Sequence, residues 1–105
     1  MQEENNTVIE KEPTTDVDEE TKEPSMYRVI LLNDDFTPME FVVLILMEVF
    51  KKSPQEAELI MMQAHKTGSA QAGVYSKDVA ETKVNIVSSL SKEAGFPLKA
   101  VIEEE

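Results

Sequence analysis

The chain has 105 residues and a formal net charge of −11, with 21 acidic and 10 basic side chains. That length fits one domain with a modest core, and the acidic balance disfavours nucleic acid as a partner, because phosphate binding needs clustered Lys and Arg. The chain has no cysteine and one histidine, which excludes disulfides, thiolate metal sites and a multi-histidine site within one chain. We expect no metal and no other cofactor.

Residues 1–25 differ in composition from the rest of the chain. They hold nine acids and two lysines, a net charge of −7, with few apolar residues. Because such a segment cannot offset its ordering entropy by burial, we predict a disordered acidic extension over residues 1–25 and a folded domain over residues 26–105. The extension is either a solubilising tail or a segment that engages a partner.

No membrane or export signal is evident in the sequence. The start of the chain lacks the basic residues and apolar stretch of a secretory signal. The longest apolar run, residues 41–47, is far shorter than the about 20 residues that a bilayer crossing needs. We expect a cytoplasmic, monomeric protein without membrane contact.

The first two predicted elements are a strand and a helix. Residues 26–32, "MYRVILL", are apolar and rich in β-branched side chains, which indicates a strand. The following stretch, "TPMEFVVLILMEVFKK", predicts a helix with Thr37 as N-cap, Pro38 in the first turn and Glu40 completing a capping box.

This first helix should extend to Lys51 and Lys52, whose charges favour a helix C-terminus. Between residues 41 and 50 every side chain except Glu48 is apolar. A surface helix needs only one apolar stripe. The helix is therefore either sandwiched between neighbouring elements or exposes an apolar pocket near its start.

A second helix is predicted by the same signals, with Ser53 as N-cap, Pro54 next, Glu56 closing a capping box and Gly68 ending the helix. "AQAGVYS" then indicates a short, weak strand.

The last two predicted elements are a helix between Ser76 and Gly95 and an edge or final strand over "PLKAVIEEE". The apolar positions of the helix are Val79, Val84, Ile86, Val87 and Leu90. The order β-α-α-β-α-β predicts an α+β fold, with three helices on one face of a small, mainly antiparallel, three-stranded sheet.

Asn33, Asp34 and Asp35 stand between the first strand and the first helix. The helix dipole stabilises carboxylates at this position, which would explain them without any bound ligand. The alternative is a pocket with hydrogen-bond acceptors at its rim and an apolar floor formed by the helix face that carries Met39, Val42 and Val43. Such a pocket suits an amine next to a large apolar group, as at the N-terminus of a peptide.

The segments "YRVILLNDDFTPMEFVV", "LIMMQAHKTGSAQAGVY", "VAETKV" and "FPLKAVIEEE" resemble the ClpS adaptor family over residues 25–103. The resemblance implies a non-enzymatic adaptor of the N-end rule. Such adaptors bind N-degrons, which are the destabilising N-terminal residues Leu, Phe, Tyr and Trp, and deliver them to the ClpA unfoldase of ClpAP. It also implies the fold of the C-terminal domain of the ribosomal stalk protein.

The resemblance further implies roles for individual residues. Residues holding the substrate α-amino group would be Asn33 and His65, with Asp34 and Asp35 helping. Residues shaping the side-chain pocket would be Thr37, Met39, Val42, Met61, Ala64 and Leu98, and Met39 would exclude β-branched side chains. Asp78 and Lys83 would contact the N-terminal domain of ClpA. Members of the family often have Val at the position of Ala64 and Tyr at the position of Phe36, so Ala64 could widen the pocket.

The sequence also suggests two other classes of function. A hydrolase could use Asp34, Asp35 and His65 as acid and base, but the sequence has no cysteine, no G-x-S-x-G motif and no second histidine. An interaction domain of the ribosomal-stalk type would share the fold without N-degron recognition. It would not need Asn33 and His65 together.

Overall fold

The structure of the protein, a computed structural model, describes residues 24–105. Its elements in chain order are β1 (Tyr27–Leu32), α1 (Met39–Glu48), α2 (Pro54–Thr67), β2 (Ser69–Tyr75), α3 (Lys77–Ala94) and β3 (Lys99–Glu104). The predicted order and the α+β class are confirmed. The predicted disorder of residues 1–25 falls, except for its last two residues, outside the described part of the chain.

The sheet has the order β2-β1-β3, and β1 pairs with both neighbours antiparallel. On β1 the alternate side chains of Val29 and Leu31 are buried, as expected for a strand with one covered face. Arg28 lies opposite Glu103 on β3, and the two side chains form an ion pair of 3.0 Å. The prediction of a small antiparallel sheet covered by helices is confirmed.

The core joins β1 and β2 to all three helices. Its buried side chains are Val29, Leu31, Ile45, Leu46, Val49, Phe50, Ala57, Met61, Ala72, Ala80, Val87 and Leu98. Helix α1 is sandwiched only in part, since Ile45 and Leu46 are buried while Leu44 is 50% exposed. No helix among residues 24–105 combines the length and apolar character needed to cross a bilayer.

The predicted ends of α2 are confirmed. The backbone N–H of Glu56 donates to the Ser53 hydroxyl at 3.2 Å, and the Glu56 side chain accepts from the Ser53 N–H, which completes the capping box. Gly68 ends the helix with φ of 99°, a left-handed conformation that suits glycine. Gly95 ends α3 in the same way, with φ of 84°.

The predicted start of α1 is wrong. The helix begins at Met39, and Pro38 occupies the N-cap position without a side-chain cap. The Thr37 hydroxyl donates to Asp34 Oδ2 at 2.8 Å, and the Thr37 N–H donates to Asp34 Oδ1 at 2.7 Å. The predicted capping box of Thr37 and Glu40 is absent, because α1 begins after Pro38 and the Thr37 N–H, which would donate to the Glu40 side chain in that motif, donates to Asp34 instead.

The predicted end of α1 is also wrong. The helix stops at Glu48, Val49 is its C-cap, and Lys51 turns the chain away with a left-handed φ of 58°. Lys51 and Lys52 therefore lie beyond the helix. The positive charge at the C-terminus of α1 is supplied by a residue of α3. Lys83 Nζ donates to the Val49 carbonyl oxygen at 2.6 Å.

The buried face of α3 differs in part from the predicted one. Val87 is fully buried, whereas Val79, Ile86 and Leu90 are 43%, 40% and 37% exposed. The other buried positions of the helix are Ala80 and Ser91, which lie seven residues before and four residues after Val87 and so share its face.

Candidate functional site

A cavity of about 370 Å³ opens where the end of β1, the start of α1 and the last turns of α2 meet. It is lined by every residue predicted for the amine and side-chain pockets. These are Asn33, Asp34, Asp35, Thr37, Met39, Val42, Met61, Ala64, His65 and Leu98. The predicted partner-contact residues Asp78 and Lys83 do not line it.

The base of the cavity is apolar and closed. Met61, Ala64 and Leu98 are only 7%, 4% and 5% exposed, and Met61 and Leu98 belong to the main core. Met39 is 44% exposed and stands at the opening. An apolar group entering the cavity would thus lose its water contacts against the outer surface of the core.

The rim of the cavity carries hydrogen-bond acceptors. Asn33, Asp35 and His65 are all exposed and line the opening. On α2, His65 lies four residues after Met61, so the two share one face of the helix. This spacing places the imidazole of His65 on the rim, on the same helix face as Met61 at the base of the cavity.

A backbone hydrogen bond joins the two sides of the rim. The N–H of Asn33, just after β1, donates to the carbonyl oxygen of Gly68 at 2.9 Å. Gly68 is the C-cap of α2, three residues after His65. The bond therefore fixes the segment that carries Asn33 against the helix that carries His65.

Asp34 organises the loop between β1 and α1. Its Oδ1 accepts from the N–H of Phe36 at 2.8 Å and of Thr37 at 2.7 Å, and its Oδ2 accepts from the Thr37 hydroxyl. Burial raises the pKa of the Asp34 carboxyl, but the hydrogen bonds from the Thr37 side chain and from the Phe36 and Thr37 N–H groups outweigh burial. The net pKa lies below the usual aspartate value.

An aromatic pair joins α1 to the segment that precedes β3. The rings of Phe41 on α1 and Phe96, just before β3, meet edge to face with centroids 4.9 Å apart. The N–H of Phe96 also donates to the Ser91 carbonyl oxygen at 2.8 Å. Leu98, which lines the cavity, follows two residues later.

Phe36 is a lining residue that the sequence analysis did not assign to the pocket. Its side chain is 79% exposed, the highest value among the large hydrophobic side chains of residues 24–105. The available signal was an aromatic residue inside a polar loop, where burial does not require one. Leu31, Leu32 and Pro38 also line the cavity and were not assigned.

The arrangement suits a ligand with two adjoining parts. An ammonium group donates hydrogen bonds and accepts none, so it needs the acceptors of the rim, while an apolar side chain fits the closed base. Within the described residues, no three His, Cys, Asp or Glu side chains are grouped to hold a metal ion.

Comparison with known proteins identifies a family. The family model described as ATP-dependent Clp protease adaptor protein ClpS matches residues 22–101. The ClpS adapter protein of Burkholderia thailandensis is 49% identical over 98 residues, covering 93% of this chain and 89% of that protein. The ClpS adapter protein of Deinococcus radiodurans is 54% identical over 86 residues, covering 82% of this chain and 76% of that protein.

A solved structure is also similar. The structure of Agrobacterium tumefaciens ClpS2 bound to L-phenylalaninamide matches with a TM-score of 0.77 and 48% sequence identity. The match covers 79% of this chain and all of that one.

Proposed function

Because the chain belongs to the ClpS family of adaptors of the ATP-dependent Clp protease, we propose that it binds the N-terminal residue of substrate proteins and delivers them to the ClpA unfoldase. The residues recognised are the destabilising ones with large apolar side chains: Leu, Phe, Tyr and Trp. The protein acts as an adaptor and has no catalytic step of its own.

One observation carries this proposal: hydrogen-bond acceptors and an apolar base occur in the same cavity. Asn33 and His65 stand on the rim while Met61 and Leu98 form the base. Only a chain terminus offers an α-ammonium directly beside a side chain. An internal peptide residue has an amide in place of the ammonium, and it would also have to pass a second chain segment through the opening.

The α-ammonium is held by Asn33 and His65 through the Asn33 side-chain oxygen and a neutral imidazole nitrogen. Asp35 adds a negative charge at the exposed rim. Asp34 helps mainly by fixing the loop, since both of its carboxylate oxygens already accept hydrogen bonds there.

The side chain of the N-terminal residue enters the apolar part of the cavity. Met61, Ala64 and Leu98 contact its far end, and Thr37, Met39 and Val42 surround its first carbons. Met39 stands at the opening, where it crowds a ligand branched at Cβ. The flexible side chain of a methionine at the base can adapt to apolar groups of different shape. This suits a pocket that accepts both Leu and aromatic side chains.

L-phenylalaninamide, the ligand in the similar Agrobacterium structure, supports this assignment by its chemistry. It joins a free α-amine to an aromatic side chain and replaces the rest of a peptide with an amide. A molecule of this kind satisfies both parts of the cavity described above.

Delivery uses a second surface, near Asp78 and Lys83, which docks on the N-terminal domain of ClpA. Asp78 is exposed in the first turn of α3. Lys83 is also part of this docking surface, and its ammonium keeps its 2.6 Å hydrogen bond to the Val49 carbonyl oxygen. Since neither residue lines the cavity, the adaptor can hold its cargo and its unfoldase at the same time.

The decisive experiment compares two peptides that differ at one group. A dye-labelled peptide beginning with Phe should bind with a Kd that fluorescence anisotropy can measure, and the same peptide with an acetylated N-terminus should bind at least about tenfold more weakly. Equal binding of the two peptides would contradict N-degron recognition and favour an interaction domain of the ribosomal-stalk type.

A further inference from the structure

Phe36 presents an exposed aromatic ring at the opening of the cavity. Its side chain is 79% exposed, although it lines the same opening as Met39 and Asp35. Burial in the fold does not explain a phenylalanine with so little covered surface. A large apolar side chain at the mouth of a binding cavity is instead available to a ligand.

The backbone beneath this ring is held in place before any ligand arrives. The N–H of Phe36 donates to Asp34 Oδ1 at 2.8 Å, and the neighbouring Thr37 bonds the same carboxylate through its N–H and its hydroxyl. A ring carried by a fixed loop loses less conformational entropy on contact than one on a mobile loop.

The direction of a bound peptide follows from the proposed function, on which this inference rests. If the α-ammonium meets Asn33 and His65 and the first side chain fills the base, the second residue must lie at the opening. We propose that Phe36 determines specificity for that second residue by packing its ring against an apolar or aromatic side chain at position two.

The contact discriminates by area and shape. Leu or Trp at position two removes apolar surface of the peptide and of Phe36 from water together, whereas Gly leaves the ring exposed. The first residue alone therefore does not set affinity. Two substrates that both begin with Phe should differ by their next residue.

The test uses the full chain and labelled peptides that begin with Phe and carry Gly, Leu or Trp at position two. Anisotropy titrations should show that the wild-type protein binds the Leu and Trp peptides about threefold or more tightly than the Gly peptide. In Phe36→Ala the three Kd values should become equal within error. Phe36→Tyr, which keeps the ring, should retain the preference.

Leu59→Ala is the matched control, because Leu59 is 72% exposed on α2 and does not line the cavity. It should leave the preference unchanged. Acetylation of the peptide should weaken binding to Phe36→Ala as much as to the wild-type protein, which separates the second position from the first.

A wild-type protein that binds the three peptides equally, or a Phe36→Ala variant that keeps the wild-type preference, would overturn this inference and leave N-degron binding intact. Insensitivity of the wild-type protein to acetylation would overturn the proposed function and this inference together.

Discussion

The backbone N–H of Asn33 donates a 2.9 Å hydrogen bond to the carbonyl oxygen of Gly68. Asn33 follows the central strand, and Gly68 ends the helix that carries His65. The relative position of the two residues proposed to hold the ligand amine therefore depends on a glycine that touches no ligand itself.

Replacing Gly68 should affect both stability and binding. The φ of 99° at Gly68 is unfavourable for any residue with a Cβ, although no atom lies within 4 Å of where that Cβ would be. Gly68→Ala should therefore lower the free energy of unfolding by about 1–2 kcal/mol through backbone strain. It should also weaken peptide binding, because relief of the strain moves the carbonyl that holds Asn33.

Gly95→Ala is the matched control for this prediction. Gly95 has a φ of 84°, also has no atom within 4 Å of a built Cβ, and lies at the end of α3 outside the cavity lining. Urea unfolding of Gly95→Ala should show a loss of stability similar to that of Gly68→Ala. Anisotropy titrations should show an unchanged peptide Kd. Unchanged peptide binding by both variants would show that the bond to Asn33 does not position the rim.

Asp34 should make stability depend on pH in the acid range. Its pKa in the folded protein is lowered, so ionised Asp34 favours the folded state. That stabilisation is fully present above the unfolded-state pKa of about 3.9 and is lost as the pH falls through the lower folded-state value. Asp34→Asn, which cannot ionise, should be less stable than the wild-type protein at pH 6.

Urea unfolding at pH 6, 4.5 and 3 measures this effect. The stability difference between the wild-type protein and Asp34→Asn should shrink between pH 4.5 and 3. Asp35→Asn serves as control for the general loss of a negative charge next to the same loop. A wild-type advantage over Asp34→Asn that stays constant down to pH 3 would refute the role given to the ionised carboxylate.

His65 should contribute a hydrogen-bond acceptor for the α-ammonium of the peptide. An imidazole nitrogen without a proton accepts from the ammonium, and removal of the ring leaves that ammonium hydrogen without its partner. His65→Ala should therefore bind a Phe-initiated peptide about tenfold more weakly than the wild-type protein.

His65→Gln is the informative companion, because it keeps a side-chain hydrogen-bond acceptor. It should bind the peptide more tightly than His65→Ala in anisotropy titrations. Equal peptide Kd values for the wild-type protein and His65→Ala would remove His65 from the amine site.

Met39 should set the discrimination against β-branched residues. Met39→Ala opens the space beside the first carbons of the ligand side chain, so peptides that begin with Ile or Val should gain about tenfold relative to Leu. The loss of stability should be small, since Met39 is already 44% exposed. If Leu, Phe, Tyr and Trp keep their full advantage over Ile and Val, Met39 is only a packing residue.

The N-terminal extension should be needed for delivery and not for binding. Deleting residues 1–22 keeps every described lining residue of the cavity, so the Kd of an N-degron peptide should change by less than about twofold, or about 0.4 kcal/mol. Docking on ClpA should survive, because it is assigned to α3. Degradation of an N-degron substrate by ClpAP should fail, because the unfoldase would have no segment of the adaptor to engage.

A Gly/Ser segment of equal length provides the control for this deletion. It should restore much of the degradation if length matters more than sequence. Full degradation with the truncated chain would reduce the extension to a solubilising segment, and loss of peptide binding would place the extension in the site.

Local signals in the sequence sufficed for most element boundaries. Ser53 with Glu56, and the terminal glycines Gly68 and Gly95, fix helix ends through bonds among near neighbours, so they could be predicted. The start of α1 could not, because the Thr37 N–H and hydroxyl both donate to Asp34 in the preceding loop and form no capping box with Glu40. Only the folded loop shows that the hydroxyl donates to Asp34 at 2.8 Å.

Contacts between distant residues account for the remaining errors. The cation at the end of α1 is Lys83, 34 residues after Val49, and no local pattern marks that pair. The residues of the cavity came from the family resemblance, and the structure brings them to one place. Phe36 was not assigned because an exposed aromatic side chain has no periodic pattern.

The hydrogen bond between Lys83 and Val49 also fixes the distance between the cavity and α3. Helix α1 has 10 residues and is about 15 Å long at 1.5 Å per residue. The cavity lies at its first turn and α3 is attached at its last, so the separation between a bound N-terminus and the proposed docking surface is set by one short, rigid helix. A fixed spacing of this size would hold a bound peptide and a partner docked on α3 at a constant distance from each other.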